Sequence, residues 1–267
     1  MNTITLAVNR VDIACRAPMT FARVLRAYLV EAKYECLRML RTPAFAIPFL
    51  ALPIFLYLLI GVLVVGQSTN ADPRLPLFMF TAFVVFAATS PGMFSFGQGL
   101  AVERQSGVLN LKRAQPMPAA AYVVAKILMA LASATIVMIV LIPLAIAFGH
   151  ISLTAAQIVG VAGAGVLGTV TFCAIGLFIG TLVSGTAAPA VVNLIYFPMM
   201  YLSGMFFPLP KILAPWALMW PTFYLDQLVY SAGGGRSAIA ANICAAVLVG
   251  LTVLCGGLAV RRLARLG

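Results

Sequence analysis

The chain has 267 residues, of which 63% are hydrophobic and only 9% charged, and it carries a formal net charge of +11. A soluble domain averages about 25% charged residues. The long apolar runs therefore exclude a water-soluble fold and predict an all-α polytopic membrane protein. A transmembrane β-barrel would need alternating ten-residue strands, and none is legible. The basic residues flank apolar spans, so the positive-inside rule accounts for them better than nucleic-acid binding does.

Residues 1–43 read as a polar tail followed by a basic amphipathic helix. Phe21, Val24, Leu25, Tyr28, Ala32, Cys36 and Met39 keep the three-and-four spacing of one helical face, while Arg23, Arg26, Lys33, Arg38 and Arg41 fall mostly on the other. Glu35 intrudes on the apolar side. Such a helix lies in the membrane interface or packs on a partner; the interface is the preferred reading. Thr42-Pro43 ends it, because the residue before proline disfavours the α conformation. No cleavable leader is expected at the N-terminus, which lacks a sufficient apolar core.

Six spans are predicted between residues 44 and 260, at about 44–66, 76–101, 122–148, 157–183, 190–207 and 237–260. Ser90-Pro91-Gly92 should kink the second span, since proline removes a helix hydrogen bond. No Asp, Glu, Lys, Arg or His occurs between Gln157 and Pro210. That stretch is too long for one crossing, and Ser184 to Pro189 is its natural break. Gly160, Ala164, Gly168, Gly176 and Gly180 make the fourth span a surface for close helix approach. Prolines break residues 207–236, which hold Trp216 and Trp220; a pair of short re-entrant helices on the outer face is expected there. Residues 261–267 form a second basic tail. With six spans, both termini share one side with the basic loop 102–121. The Lys/Arg bias places that side in the cytoplasm.

Chemistry is sparse. The cysteines (Cys15, Cys36, Cys173, Cys244, Cys255) form no metal-ligand or redox pair, and His150 reads as a solvated loop residue. No catalytic site, cofactor site or metal site is expected. No ionisable pair sits within the spans, and no phosphate-binding glycine loop occurs. Uphill transport would therefore draw its energy from a partner. Asp226, Tyr224 and Tyr230 are the thin set that a membrane enzyme could use; Asp226 otherwise reads as a solvated loop acid.

The loop from Glu103 to Pro116 resembles the segment between the second and third spans of permease subunits of ABC-2 type exporters. The matching residues are Glu103, Arg104, Gly107, Leu109, Leu111, Pro116 and Lys126; Val108 and Asn110 depart from the family's Thr and Glu. Leu202-Ser203-Gly204-Met205-Phe206-Phe207-Pro208, followed by Pro221-Thr222-Phe223-Tyr224, resembles the family's outer re-entrant region. The helix before the first span resembles its elbow helix. The resemblance implies a non-hydrolytic transport subunit in a bacterial inner membrane. A separate ATP-binding-cassette protein would hold ATP and Mg, and a second permease chain, as a homodimer, would complete the pathway.

It further implies a coupling helix that docks in the ATPase. Val108, Leu109 and Leu111 would seat in a groove there, while Glu103, Arg104, Lys112 and Arg113 set its orientation. An amphipathic, drug-like, lipid or lipid-linked glycan cargo is expected. Two alternatives remain, an ATPase-independent membrane enzyme or assembly factor and a passive facilitator.

Overall fold

The computed structural model describes residues 21–65, 72, 74–109, 111, 119–149, 151–207, 209–210 and 212–265, which are helical with no strand among them. The first helix, α1 (Phe21–Arg41), precedes a helical rod, α2, over residues 43–65 whose turns alternate between α and π geometry. Then follow α3 (Leu75–Gln105), α4 (Ala119–Phe148), α5 (Ala155–Leu182) and α6 (Ala188–Leu202). Two short helices, α7 (Ala214–Ala217) and α8 (Pro221–Ala232), lead to α9 (Ala241–Arg265).

Four helices are long and apolar enough to cross a membrane, namely α3, α4, α5 and α9. The expected first and fifth spans correspond to shorter apolar helices, Phe49–Val64 and Ala188–Leu202. At 1.5 Å per residue, α6 is about 22 Å long, short of the roughly 30 Å hydrocarbon core. The stretch after Leu202 turns away because Gly204 adopts φ +75°, a left-handed conformation that glycine reaches without penalty. Helix α3 runs four residues past the boundary expected at Ala101, into the polar segment. Its proline does not end it. After Pro91 the turns widen to π geometry from Met93 to Leu100, one of the known ways a helix absorbs a local disruption. Helix α9 continues through Arg261 and Arg262, both expected in a tail.

Helix α3 is the axis of the bundle. Its most apolar window is 83% buried, against 17% for α9. Phe80, Phe83, Val84, Val85 and Met93 are fully enclosed. The rod α2 is pinned to α3 by Tyr57, whose ring meets Phe80 and Phe83 edge-on. Against the other side of α3 lies α5, and here the small-residue stripe acts as expected. A Cβ on Gly176 would stand 2.5 Å from the Gly92 carbonyl oxygen, and one on Gly180 would overlap the Phe96 carbonyl. Only glycine permits backbones this close. Thr154 and Gln157 start α5 with a capping box. Helix α1 packs chiefly along α4 and buries Ala32, Glu35 and Met39, while Leu25, Leu29 and Leu40 stay exposed.

Leu109, Tyr122 and Ala259 share one hydrophobic cluster. The polar segment, the start of α4 and the end of α9 therefore lie at the same end of the bundle.

Candidate functional site

The polar segment after α3 divides into two halves with opposite directions. The first half points inward. Glu103 is 5% exposed, and its carboxylate accepts from Arg38 Nη1 of α1 at 2.9 Å and from Lys126 Nζ of α4 at 3.2 Å. The Tyr122 hydroxyl donates to its second oxygen. One side chain thus joins three helices. The Lys126 ammonium also stands 5.2 Å from the centre of the Tyr122 ring. Helical spacing explains the convergence on α4, because Tyr122 and Lys126 are four apart and share a face.

Arg104 points the other way around α3 and closes α5. Its guanidinium donates to the carbonyls of Thr181 at 2.9 Å and Val183 at 2.7 Å, at the end of α5 where carbonyls lack helical partners. Gln105 accepts from the Thr186 backbone N–H at 2.9 Å, which ties the α5–α6 turn to the same place. Glu103 and Arg104, expected to orient a partner, are therefore engaged within the chain. Donors on α1 and α4 turn Glu103 inward, and the carbonyl acceptors at the end of α5 do the same for Arg104.

The second half points outward. Gly107 stands at φ +77°, with nothing near the position of a Cβ. It breaks the α3 path and starts a new turn, closed by the Leu111 N–H to the Gly107 carbonyl at 3.2 Å. Leu109 is buried against the bundle, Val108 is half-buried, and Leu111 is 69% exposed. Of the expected docking set, Leu111 is the one presented freely. Asn110, Lys112, Arg113 and Pro116 lie outside the described residues.

At the opposite end, the residues expected in a re-entrant region form a packed corner. Phe206 lies against Phe83 and Phe86, with ring centres 5.5 and 6.4 Å away. Phe207 is 65% exposed, and Pro208 lies outside the described residues. Pro221 takes the first turn of α8, where its missing N–H costs nothing. Thr222 donates to the Met199 carbonyl at 2.9 Å, and Tyr224 donates to the Leu218 carbonyl at 2.9 Å.

Asp226 overturns its sequence reading. It is not a solvated loop acid; it lies on the inner stripe of α8 with Thr222, Leu225 and Val229, and is 2% exposed. One carboxyl oxygen has no hydrogen-bond partner. Helix α8 is about 18 Å long, too short to span. Burial pushes the Asp226 carboxyl up to about 8, opposed by neighbouring Gln227. With Asp226 enclosed, the trio of Asp226, Tyr224 and Tyr230 does not assemble a site open to substrate; Tyr230 packs its ring on Phe78.

Sequence reasoning missed a polar pair inside the bundle. Thr89 of α3 and Tyr196 of α6 are hydrogen-bonded at 2.8 Å, both fully buried. The readable signal was a threonine and a tyrosine within otherwise apolar spans, where polar side chains commonly seek a neighbouring helix.

These features define a multi-pass helical membrane protein whose central helix leads into a structured polar turn. The family model described as ABC-2 type transporter matches residues 26–240, and the chain belongs to that family. It is accordingly a transporter permease subunit and not itself hydrolytic; members of the family normally work with an ATP-binding-cassette subunit. A search of curated proteins finds no match.

Proposed function

We propose that this chain is the permease of an ATP-driven exporter in a bacterial inner membrane, with six membrane passages and both termini in the cytoplasm. Residues 107–116 receive the ATPase. The observation that carries this reading is the two-way division of the polar segment. Glu103 and Arg104 lock its base to α1, α4 and α5, while Gly107 turns the chain and Leu111 projects free. A docking element must be held rigidly at its root to transmit a push. A base tied to three other helices supports such a role, and it carries a displacement directly to α3, the most enclosed helix.

A second copy of the chain completes the pathway. The exposed apolar side chains of α6, including Leu194 and Phe197, supply an unspent face of the kind a partner helix covers. The cargo is amphipathic, drug-like, lipid or lipid-linked glycan, consistent with the apolar character of every helix that could line a path.

The test is co-purification with a cognate ATPase, followed by ATPase and transport assays in proteoliposomes. Leu111→Asp should leave folding intact and lose ATPase association. Gly107→Pro should uncouple, because proline fixes φ near −65° where this turn needs +77°. An ATPase that binds Leu111→Asp as tightly as wild type refutes docking at this turn.

A further inference from the structure

Helix α6 carries one polar side chain that the bundle leaves unanswered. Its inner face is occupied: Ala188, Val192, Tyr196 and Met199 are buried, and the Tyr196 hydroxyl is bonded to Thr89. Its outer stripe is Ala190, Leu194, Phe197 and Tyr201, at helical spacing and all exposed. Asn193 sits on the flank of that stripe. It is half-buried and makes no hydrogen bond among the described residues. Its Cα lies about 8 Å along the helix from Ala188, beyond the polar turn that Arg104 and Gln105 tie down. Only long side chains snorkel out of the hydrocarbon, and lipid offers an amide no partner.

The same stretch holds a second open group. Pro198 lies inside α6. Proline has no N–H, so the carbonyl of Leu194, one helical turn earlier, loses its usual donor. Leu194 is 74% exposed, on the outer side. Backbone groups freed by proline in membrane helices are commonly answered by a neighbouring helix. Within the chain α6 packs chiefly on α3 and α8, which lie against its inner face.

The two open groups are complementary, and their placement selects the partner. At about 100° per residue, Asn193 stands about 70° to one side of the stripe's centre and Pro198 about 70° to the other. Two copies inserted alike in one membrane are related by a two-fold axis along its normal, so their α6 helices run parallel. In such a pair each flank faces the opposite flank of the other helix at the same height. The Asn193 amide then meets the open Leu194 carbonyl, about 1.5 Å away in height, and the contact repeats across the axis. An amide N–H donates and a carbonyl accepts, so both needs are met twice. Length points the same way, because a helix shorter than the hydrocarbon core relieves the mismatch by associating.

We propose that two copies of this chain pair along α6 through reciprocal hydrogen bonds, from the Asn193 amide of each copy to the Leu194 carbonyl of the other. This rests on the reading that a second copy completes the pathway, and it names the contact that sets the register. A polar contact fixes the height of one helix against the other, where an apolar stripe alone would let them slide.

The test reconstitutes the full chain, labelled with donor or acceptor fluorophores, in proteoliposomes and follows energy transfer as lipid is added. Wild type should dimerise. Asn193→Val removes the donor at similar volume and should weaken the dimer about tenfold or more, the loss of two interhelical bonds. Pro198→Ala supplies the missing N–H, occupies the Leu194 carbonyl and should weaken the dimer similarly. Asn193→Gln keeps the amide and should retain much of the pairing. The thermal midpoint of the monomer, diluted in detergent, should not fall in either weakened variant; a fall in both would assign the effect to folding and overturn the contact. A wild-type dimer indifferent to Asn193→Val and Pro198→Ala overturns the contact and leaves the second copy in place. A wild type that stays monomeric at every density removes the second copy, and the proposal with it.

Discussion

Two carboxylates are buried at opposite ends of this bundle, and they are treated in opposite ways. Glu103 is surrounded by a guanidinium, an ammonium and a phenol, one from α1 and two from α4. Asp226 is slightly more enclosed but keeps one oxygen without a partner. The first is held as an anion by its neighbours. The second is held as a neutral acid by burial alone. The difference lies in neighbours, not in depth. An acid that joins helices stabilises its end of the bundle only while charged, whereas an unpartnered acid is tolerated only while protonated.

That contrast is most directly broken by removing charge at each end while keeping shape. Glu103→Gln leaves Lys126 buried without its counter-ion and is expected to cost about 3–5 kcal/mol, the usual loss on breaking a buried pair. Thermal unfolding in detergent would show it as a large fall in midpoint. A midpoint within a degree or two of wild type would mean the cluster adds nothing net. Asp226→Asn should act with the opposite sign, stabilising the chain by an amount on the order of a few kcal/mol at neutral pH.

The pH profile sharpens the same point. An unfolded Asp titrates at about 3.9, whereas the folded group is pushed up to about 8. Between those values the unfolded chain has released a proton that the folded chain retains, so wild-type stability falls as pH rises from about 4 to about 8. Asp226→Asn should remove that slope. A wild-type profile that is level there would mean the carboxyl is solvated after all.

Smaller effects come from the residues beside Glu103. Arg104→Ala strips the α5 end of two charge-assisted bonds and is expected to cost about 1–3 kcal/mol. Amide exchange should then rise at residues near Val183 before it rises elsewhere. Leu111→Asp should be nearly silent in stability, within about 0.5 kcal/mol, because the side chain is exposed. Under the proposed docking, its effect falls on association with the ATPase. A large stability loss there would show that Leu111 packs within the chain.

Much of the architecture was legible because hydrophobic length and helical period are local properties. The apolar runs located α3, α4, α5 and α9 to within a few residues. The glycine and alanine spacing on α5 marked a close-approach face before its partner was known. Glu35, which breaks the apolar face of α1, was visible as an anomaly. Its burial was not, because the α3 and α4 residues that line the cleft beside it are distant in sequence. The direction of Glu103 and Arg104 was equally hidden, since a polar loop between spans reads the same whether its charges face solvent or neighbours. Asp226 was misread for a related reason. Four prolines around it suggested an irregular loop, yet Pro221 starts a helix instead of breaking one.

The sequence by itself determined the membrane class, the helical class, the family and the location of the polar turn. Those follow from composition, period and a local motif. Tertiary structure alone decided which side chains of that turn are anchors and which is offered outward. It also decided which buried acid is paired, and that α1, α3 and α4 enclose a cleft. Those properties depend on helices brought together from distant parts of the chain, and burial by a distant neighbour leaves no mark on the local pattern.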